Sequence, residues 1–581
     1  MKVLLVAINA RFSHSNPAVY ALKNSLTLTA PELADTVEIC EFNINQTDEY
    51  ILGEVYRAEA EIVGISCYIW NRSKVMSLVG SLKKIAPQVQ IILGGPEVGH
   101  LAIDTLTAEP AVDFILQGEG ELTFGQLLRA IRTDRDYTQI PGLVYRDAAG
   151  EIIANPLEQA LNQPDLNLLP FPYTSADLDS LKGKIVYYES SRGCPYRCAY
   201  CLSAEDHHLR FLPVDRVARE IDRFVQAGIG LVKFVDRTFN CRPERARQIW
   251  QYLIAATGPE TRFHFEIGAD LLDEDSLHLL AQAPPGKFQF EVGVQSTNPE
   301  VLAAIGRPNR IGQIAANIRR LAAVGNIHLH LDLIAGLPLE TLDSIARSFD
   351  AVWAMNPHHI QLGFLKVLPG TPIQRQAAQF GLIYRHEPPY EILQTPTLSY
   401  AELWQLKRIA ELVEIYHNTG RFLETTKYIS DYCFEGSAFG FYAELARWWV
   451  KNGLYRERHK SGDYYEYLYR FLAEAELLDA QALTRLTLDF VASEQYLDLP
   501  AWTGQKETEE VKKLHHELVQ DPAFIAAVLP HYAGMRAREI SKKTRLILTT
   551  TGEHVKRVLA DYSVRDPITG RARLVDLDNI P

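Results

Sequence analysis

The stretch Cys194-Pro-Tyr-Arg-Cys198-Ala-Tyr-Cys201 decides the reading of this chain. It follows an apolar, β-rich run, Lys184-Ile-Val-Tyr-Tyr-Glu-Ser190, and a Ser-Arg-Gly turn, so its thiols sit in a loop off a strand end. Three of the seven cysteines fall within eight positions. Iron–sulfur and zinc sites both need thiolates gathered by short spacings, and a cluster held by protein alone normally takes four Cys ligands. Three thiolates leave one iron of a 4Fe-4S cube open, and an open iron is a place for chemistry. Zinc is the competing reading, with His207 or His208 completing a Cys3His tetrahedron.

Downstream, a strand–helix alternation repeats. Strands are expected near Lys184–Ser190, Leu231–Asp236, Arg262–Ile267, Phe288–Gln295, His328–Ile334 and Ile360–Leu368, with helices such as Val214–Gln226 and Ile311–Val324 between them. Such units suggest a partial (β/α)6 barrel of TIM type, whose chemistry gathers at the C-terminal strand ends. Those ends carry Asp236-Arg-Thr-Phe-Asn240, Glu266, Gln295-Ser296, Ile334-Ala-Gly336-Leu-Pro-Leu-Glu340 and Leu368-Pro-Gly-Thr371.

Upstream, apolar runs at Lys2–Ile8, Thr36–Phe42, Ile62–Ser66, Val89–Leu93 and Val112–Leu116 alternate with helical patterns such as Pro17–Leu28. This implies a Rossmann-like, doubly wound parallel sheet, which binds ligands at the carboxyl ends of its strands. Those ends read Gly64-Ile-Ser66, Gly94-Gly95-Pro96-Glu97 and Gly118-Glu119-Gly120-Glu121. Glycines there permit positive φ and close backbone approach to a bulky ligand. Taken singly, each is also an ordinary tight turn. A hairpin is expected at Gly142–Ile153, before a linker rich in Pro, Asn and Asp.

The Cys-x3-Cys-x2-Cys spacing, with an aromatic residue before the last Cys, resembles the signature of the radical S-adenosylmethionine (SAM) superfamily. With the glycine turns ahead of it, the chain resembles the cobalamin-dependent radical SAM enzymes. That resemblance implies a 4Fe-4S cluster on Cys194, Cys198 and Cys201, with SAM chelating the open iron and splitting to a 5′-deoxyadenosyl radical. It places Tyr200, Asp236, Asn240, Glu266, Gln295, Ser296, Gly336 and Leu368 about SAM, with Glu291, Gln295 and Asp332 as candidates for the ribose. It places Ser66, Gly94, Gly95, Pro96, Gly118, Glu119 and Gly120 about cobalamin. The Asp-x-His-x-x-Gly motif that ligates cobalt in methionine synthase is replaced by Asn9-Ala-Arg-Phe-Ser-His14, with the His offset.

The implied architecture is a cobalamin-binding domain over 1–154, a linker over 155–181, a radical SAM partial barrel over 182–380 and a mainly helical domain over 381–581. In the last, Tyr400–His417, Phe439–Lys451 and Asp463–Leu478 show helical spacing, and the dense aromatics read as a helical core. This tail resembles the domain of unknown function that accompanies one subgroup of these enzymes, and it is expected to close the barrel mouth.

The resemblance implies a methyltransferase: one SAM methylates reduced cobalamin, another supplies the radical that activates an unreactive carbon. The alternatives are a radical SAM reaction without methylation, with or without cobalamin, and a zinc-stabilised binding module. Methylthio transfer to RNA fits poorly, because that branch carries a cysteine-rich N-terminal domain and here only Cys40 and Cys67 precede the motif. The expected partner is a low-potential electron donor of flavodoxin or ferredoxin type; the substrate is not legible. A net charge of −13 gives no footprint of nucleic-acid binding. No apolar stretch has the flanks of a signal peptide or reaches the ~18 residues of a membrane span, so cytoplasm is the expected location. The remaining cysteines are scattered, as in a reducing compartment.

Overall fold

The computed structural model describes the chain apart from residues 134, 158–164, 205, 207, 257–259, 496–497, 505–507, 552–553 and 580–581. His207, one of the two candidate zinc ligands, lies outside the described residues, as does part of the linker.

The N-terminal sheet consists of β1 (Val3–Asn9), β2 (Val37–Asn43), β3 (Ile62–Ser66), β4 (Gln90–Gly94), β5 (Phe114–Leu116), β6 (Leu143–Arg146) and β7 (Ile152–Ala154). Its order is β2-β1-β3-β4-β5-β6-β7, parallel as far as β5, after which the hairpin adds two antiparallel strands. Every side chain of β1 is buried, as expected of a central strand covered on both faces. The strand order reverses between β1 and β3, and the crevice outside their carboxyl ends is where such sheets bind ligands.

The second sheet begins with β8 (Ile185–Tyr188). A short antiparallel clip, β9 (Ser191–Arg192) with β10 (Arg210–Phe211), follows. Then come β11 (Leu231–Phe234), β12 (Arg262–Glu266), β13 (Phe288–Gln295), β14 (His328–Ala335) and β15 (His359–Phe364). The order β15-β14-β13-β12-β11-β8 is parallel throughout, a partial six-stranded barrel.

Period-2 alternation divides these strands into two chemistries. In β13, Phe288, Phe290, Val292 and Val294 are buried, while Gln289, Glu291, Gly293 and Gln295 take the other face. The buried face meets an aromatic layer in which Phe265 lies 4.4 Å from Phe239 and 6.3 Å from Trp250, ring centre to ring centre. Burial of each such ring contributes about 2–3 kcal/mol. The hydrophobic stabilisation thus sits outside the barrel, and its lumen is left polar.

The C-terminal third is built on helices Tyr400–Val413, Ala438–Lys451, Ser461–Glu474 and Ala480–Ser493, with a three-stranded antiparallel sheet that begins at Thr544 further along the chain. Trp448, Trp449, Tyr465 and Phe471 are buried, so the aromatics build the core of this region. Helix Tyr400–Val413 passes into a π-helical turn, Glu414–Asn418.

Among the described residues, the helical body packs along the side of β15, with Lys407 over Phe364 at one end of the strand. Asn418 bonds both backbone groups of Ile360, at the N-terminal end of β15, and Asp350 on the barrel's flank accepts from Ser437 Oγ at 2.8 Å. The segment 383–398 is what reaches the C-terminal strand ends: Ile392 packs on Gly336, and Thr397 Oγ1 donates to Glu340 O at 2.7 Å. From the same segment, the Tyr390 hydroxyl donates to the buried Glu97 carboxylate of the N-terminal domain.

Candidate functional site

The cysteine loop leaves the sheet through Gly193, whose φ of +87° suits glycine and whose Cβ, if present, would stand 2.6 Å from His208 O. Its backbone is pinned at several points. Cys194 N donates to Asp206 O at 3.1 Å, Cys201 N to Cys198 O at 3.0 Å and Ala199 N to Ile305 O at 2.8 Å. The three thiols line one cavity of about 190 Å3 together with Tyr196, Tyr200, Thr238 and Arg307. Burial pushes the Cys194 thiol up. At Cys198 a cation is supplied: Arg307 Nη1 stands 3.4 Å from the sulfur while Nη2 donates to Gly293 O at 2.8 Å. The guanidinium brings positive charge and an N–H donor to this sulfur, and both tune a thiolate-held cluster.

Among the described residues, no three His, Cys, Asp or Glu side chains are grouped to hold a single metal ion. With Zn–S near 2.3 Å, sulfurs sharing one zinc stand within about 4 Å of one another. The described residues therefore form no mononuclear site, and His208 is exposed. Three thiols that line one chamber suit a cluster with one open iron.

The far wall of this cavity is the polar face of the barrel. Glu291 accepts from Lys233 Nζ at 3.0 Å and faces His264 Nε2 at 2.9 Å, and Glu266 lies 3.8 Å from Lys233. Burial opposes the Glu291 charge, yet His264 and Lys233 hold its carboxyl well below the usual range. Burial, then the neighbouring Glu291, pushes Glu266 up to about 7. His330 Nε2 stands 3.1 Å from Asp332 Oδ1 without hydrogen-bond alignment, and burial pushes Asp332 up.

Two features of this wall suit a polar ligand. At the β13 bulge Gln295 adopts φ +69°, a strained region for a residue other than glycine. Its Oε1 is buried without a partner. A buried amide oxygen is rarely left unbonded, so the cavity offers an acceptor to a bound donor.

The second cavity, of about 700 Å3, opens at the carboxyl ends of the N-terminal sheet. Ser66, Gly94, Gly95, Pro96, Gly118, Glu119 and Gly120 all line it. Gly95 has φ +105°, and a Cβ there would stand 2.5 Å from Cys67 O. Such turns bring bare backbone to the cavity wall, which suits a large flat ligand. One side is closed by Tyr68, stacked on Trp70 at 4.4 Å and 6°. Ser66 Oγ accepts from Asn16 Nδ2 at 3.0 Å. His14 is turned away, with Nδ1 2.6 Å from the Tyr187 hydroxyl of the barrel.

The expected SAM residues separate into two groups. Tyr200, Glu266, Gln295, Glu291 and Asp332 line the smaller cavity with the cysteines. Asp236, Asn240, Ser296, Gly336 and Leu368 do not. Asp236 is fully buried, accepting from Ser190 N at 3.0 Å and Oγ at 2.7 Å and from Ser191 Oγ. Asn240 exchanges two bonds with the Gly268 backbone, and Ser296 donates to Glu340 at 2.9 Å. These side chains fix the strand ends. Glu119 lines the larger cavity, yet its carboxylate is bound by Arg192 and Arg210.

Sequence reasoning missed Arg307, Arg192 and Arg237. The first two meet their partners across long sequence separations. Arg237 was visible inside Asp236-Arg-Thr-Phe-Asn240, but nothing local shows that it lines both cavities.

Comparison with known proteins matches three family models along the chain: B12 binding domain over 3–128, radical SAM superfamily over 188–352 and protein of unknown function (DUF4080) over 378–553. The chain is 27% identical over 431 residues to the 2-(S-pantetheinyl)-carbapenam-3-carboxylate methyltransferase of Streptantibioticus cattleyicolor, covering 67% of this chain and 61% of that one. It is 31% identical to the cobalamin-dependent radical SAM methyltransferase TokK of Streptomyces tokunonensis, covering 56% and 50%. The chain thus spans between half and two thirds of these relatives' length. In fold it resembles the radical SAM methyltransferase TsrM from Kitasatospora setae with cobalamin and a [4Fe-4S] cluster bound, at TM-score 0.55 and 19% identity over 67% of this chain and 82% of that one. A radical SAM domain implies a 4Fe-4S cluster, SAM and an external reductant, and a B12 binding domain implies cobalamin. No helix among the described residues is long and apolar enough to cross a membrane. The chain thus carries a B12 binding domain, a radical SAM domain and the DUF4080 domain in this order, and its relatives include cobalamin-dependent radical SAM methyltransferases.

Proposed function

We propose that this chain is a methyltransferase that acts on an unactivated carbon, drawing electrons from a low-potential donor of flavodoxin or ferredoxin type. The observation that carries this reading is the junction of two cavities. The thiol-lined chamber and the chamber of the glycine turns share Arg237 in their walls, so ligands of the two lie side by side. An enzyme that abstracts hydrogen without cobalamin needs the first chamber alone.

When bound, the cluster, SAM and cobalamin together supply a 5′-deoxyadenosyl radical and a transferable methyl group, and the protein's part is to hold and orient them. Cys194, Cys198 and Cys201 are assigned to the cluster, with Arg307 setting the charge beside Cys198 Sγ. Tyr200 and the strained Gln295, with its buried Oε1, are assigned to SAM. The Ser66, Gly94-Gly95-Pro96 and Gly118-Glu119-Gly120 turns are assigned to the corrinoid, through backbone more than side chain. Glu266, with its pKa pushed up to about 7, can hold or release a proton at its carboxyl near neutrality, whereas Glu291 stays ionised against Lys233. We assign the domain limits 1–154, 155–181, 182–380 and 381–581.

The test is anaerobic reconstitution with iron, sulfide and hydroxocobalamin, followed by incubation with methyl-labelled SAM and small-molecule extracts. About four irons per chain, lost on Cys198→Ala, with stoichiometric cobalt and label in a new product, is the expected result. Iron without cobalt, or intact cofactors with no transferred label, overturns the methyltransferase.

A further inference from the structure

We propose that Arg237 is the anchor for an anionic group of the substrate, a carboxylate or a phosphate, held where the two cavities meet. This rests on the two-cofactor reading above and narrows it to a class of substrate.

The position comes first. Arg237 directly follows Asp236 at the carboxyl end of β11, and the two point apart: Asp236 is fully buried, while Arg237 is exposed to both chambers. A substrate that must be reached from both cofactors has to lie at this wall.

The second observation is the state of every other charge around it. In the smaller chamber, Glu291 is held by Lys233 and His264, Glu266 lies 3.8 Å from Lys233, Asp332 faces His330, and Arg307 is spent on Cys198 and Gly293. In the larger chamber, Glu119, Glu121 and Glu189 are all paired with Arg192. The Arg237 guanidinium forms no hydrogen bond or ion pair among the described residues, and only its backbone carbonyl is engaged, by Thr238 Oγ1 at 2.8 Å. Its charge is felt by Glu266 in the smaller chamber and by Tyr68 in the larger. Its five fixed donors at the meeting point of two chambers therefore await an acceptor from outside the chain. A planar guanidinium matches a carboxylate or phosphate through paired bonds, and a neutral or cationic substrate would leave it uncompensated.

Carboxylate and phosphate are also carried by SAM and by the nucleotide tail of cobalamin, so the experiment separates these sources. Protein carrying the reduced cluster is titrated with inorganic phosphate, and the 31P relaxation of free phosphate is read. The cluster is the paramagnet, so the measurement works whether or not cobalt is bound, and failure of the corrinoid reading shows separately as cobalt-free protein. Wild type is expected to relax phosphate saturably. Arg237→Lys keeps the effect at weaker affinity, and Arg237→Met loses at least about tenfold in affinity, the scale of a lost charge-assisted hydrogen bond. Iron content and melting temperature of both variants report folding. Affinities for SAM and for hydroxocobalamin, measured by calorimetry, are expected to change less than about twofold. Unchanged phosphate relaxation in Arg237→Met, or none in wild type, overturns the proposal. So does a tenfold loss of SAM or hydroxocobalamin affinity, which would make Arg237 a cofactor contact.

Discussion

Arg192 donates through Nη1 to Glu119 Oε2 at 2.6 Å, which ties the residue two places before Cys194 to the Gly118-Glu119-Gly120 turn of the other domain. Glu121 and Glu189 accept from the same guanidinium, and Arg210 from the paired strand also binds Glu119. The strand clip that frames the cysteine loop is thereby fastened to the wall of the larger cavity.

Arg192→Met is expected to leave three carboxylates facing one another with Arg210 as the remaining cation. Breaking a buried ion pair from one side costs about 3–5 kcal/mol, and the partial exposure of these groups brings the expectation to about 2–3 kcal/mol. Urea denaturation measures it, and hydroxocobalamin retention is expected to fall with it. Adding Glu119→Gln should restore part of the loss; a double variant no better than the single one contradicts the network.

Arg307→Met removes both a positive charge and an N–H donor from Cys198 Sγ. Hydrogen bonds to sulfur and net charge set cluster potentials, and both changes make reduction harder. The midpoint is expected to move negative by about 60 mV, equivalent to a tenfold change in a one-electron equilibrium. A redox titration followed by electron paramagnetic resonance reads it, and Arg307→Lys should recover much of the loss.

Gly95→Ala places a methyl group against the Cys67 carbonyl in a backbone region closed to most side chains. The turn must move, at a cost of about 1–3 kcal/mol, with loss of cobalamin retention. Gly80, inside helix Arg72–Ile85, has nothing within 4 Å of its Cβ position. Gly80→Ala should instead stabilise by about 0.5–1 kcal/mol, and thermal melts of the pair separate the two effects.

Glu340 is 1% exposed, and burial pushes its carboxyl up to about 7 from the ordinary 4.5. The folded chain binds this proton more tightly than the unfolded one. Its stabilising contribution is therefore full below about pH 4.5 and is lost as pH rises through 7. Glu340→Gln keeps an acceptor for Ser296 and Ser344 and removes the charge. Each tenfold difference in proton affinity between folded and unfolded chain is worth about 1.4 kcal/mol, so at pH 8 the variant should exceed wild type by about 2–3 kcal/mol. At pH 5 the two should nearly coincide. Denaturant midpoints at the two pH values decide it.

What the sequence made legible was local. Helices Val214–Gln226 and Ile311–Val324 occur with the bounds that their periodicity implies, because each amphipathic face is written within four residues. The glycine turns were readable for the same reason. β15 ends at Phe364 rather than Leu368, because Lys366 pairs with Glu391 of a segment that no local pattern connects to it. Asp236 is another case. The resemblance suggested a ligand contact, but the hydroxyls of Ser190 and Ser191, more than forty positions earlier, claim Oδ1 and the Ser190 amide claims Oδ2. The position of the helical body was equally hidden, since an apolar face shows that it will be covered and not by what.

The bond from Tyr390 to Glu97 has a consequence for how this chain can vary through descent. Tyr390 lies in the C-terminal third, whereas Glu97 directly follows the Gly94-Gly95-Pro96 turn of the first domain and is otherwise held by Arg72. A recombination event near residue 380 would supply the new tail with a foreign carboxylate, or the old carboxylate with no hydroxyl. Lineages that exchange their C-terminal thirds should therefore carry matched changes at positions 97 and 390, inherited as one unit across nearly three hundred residues.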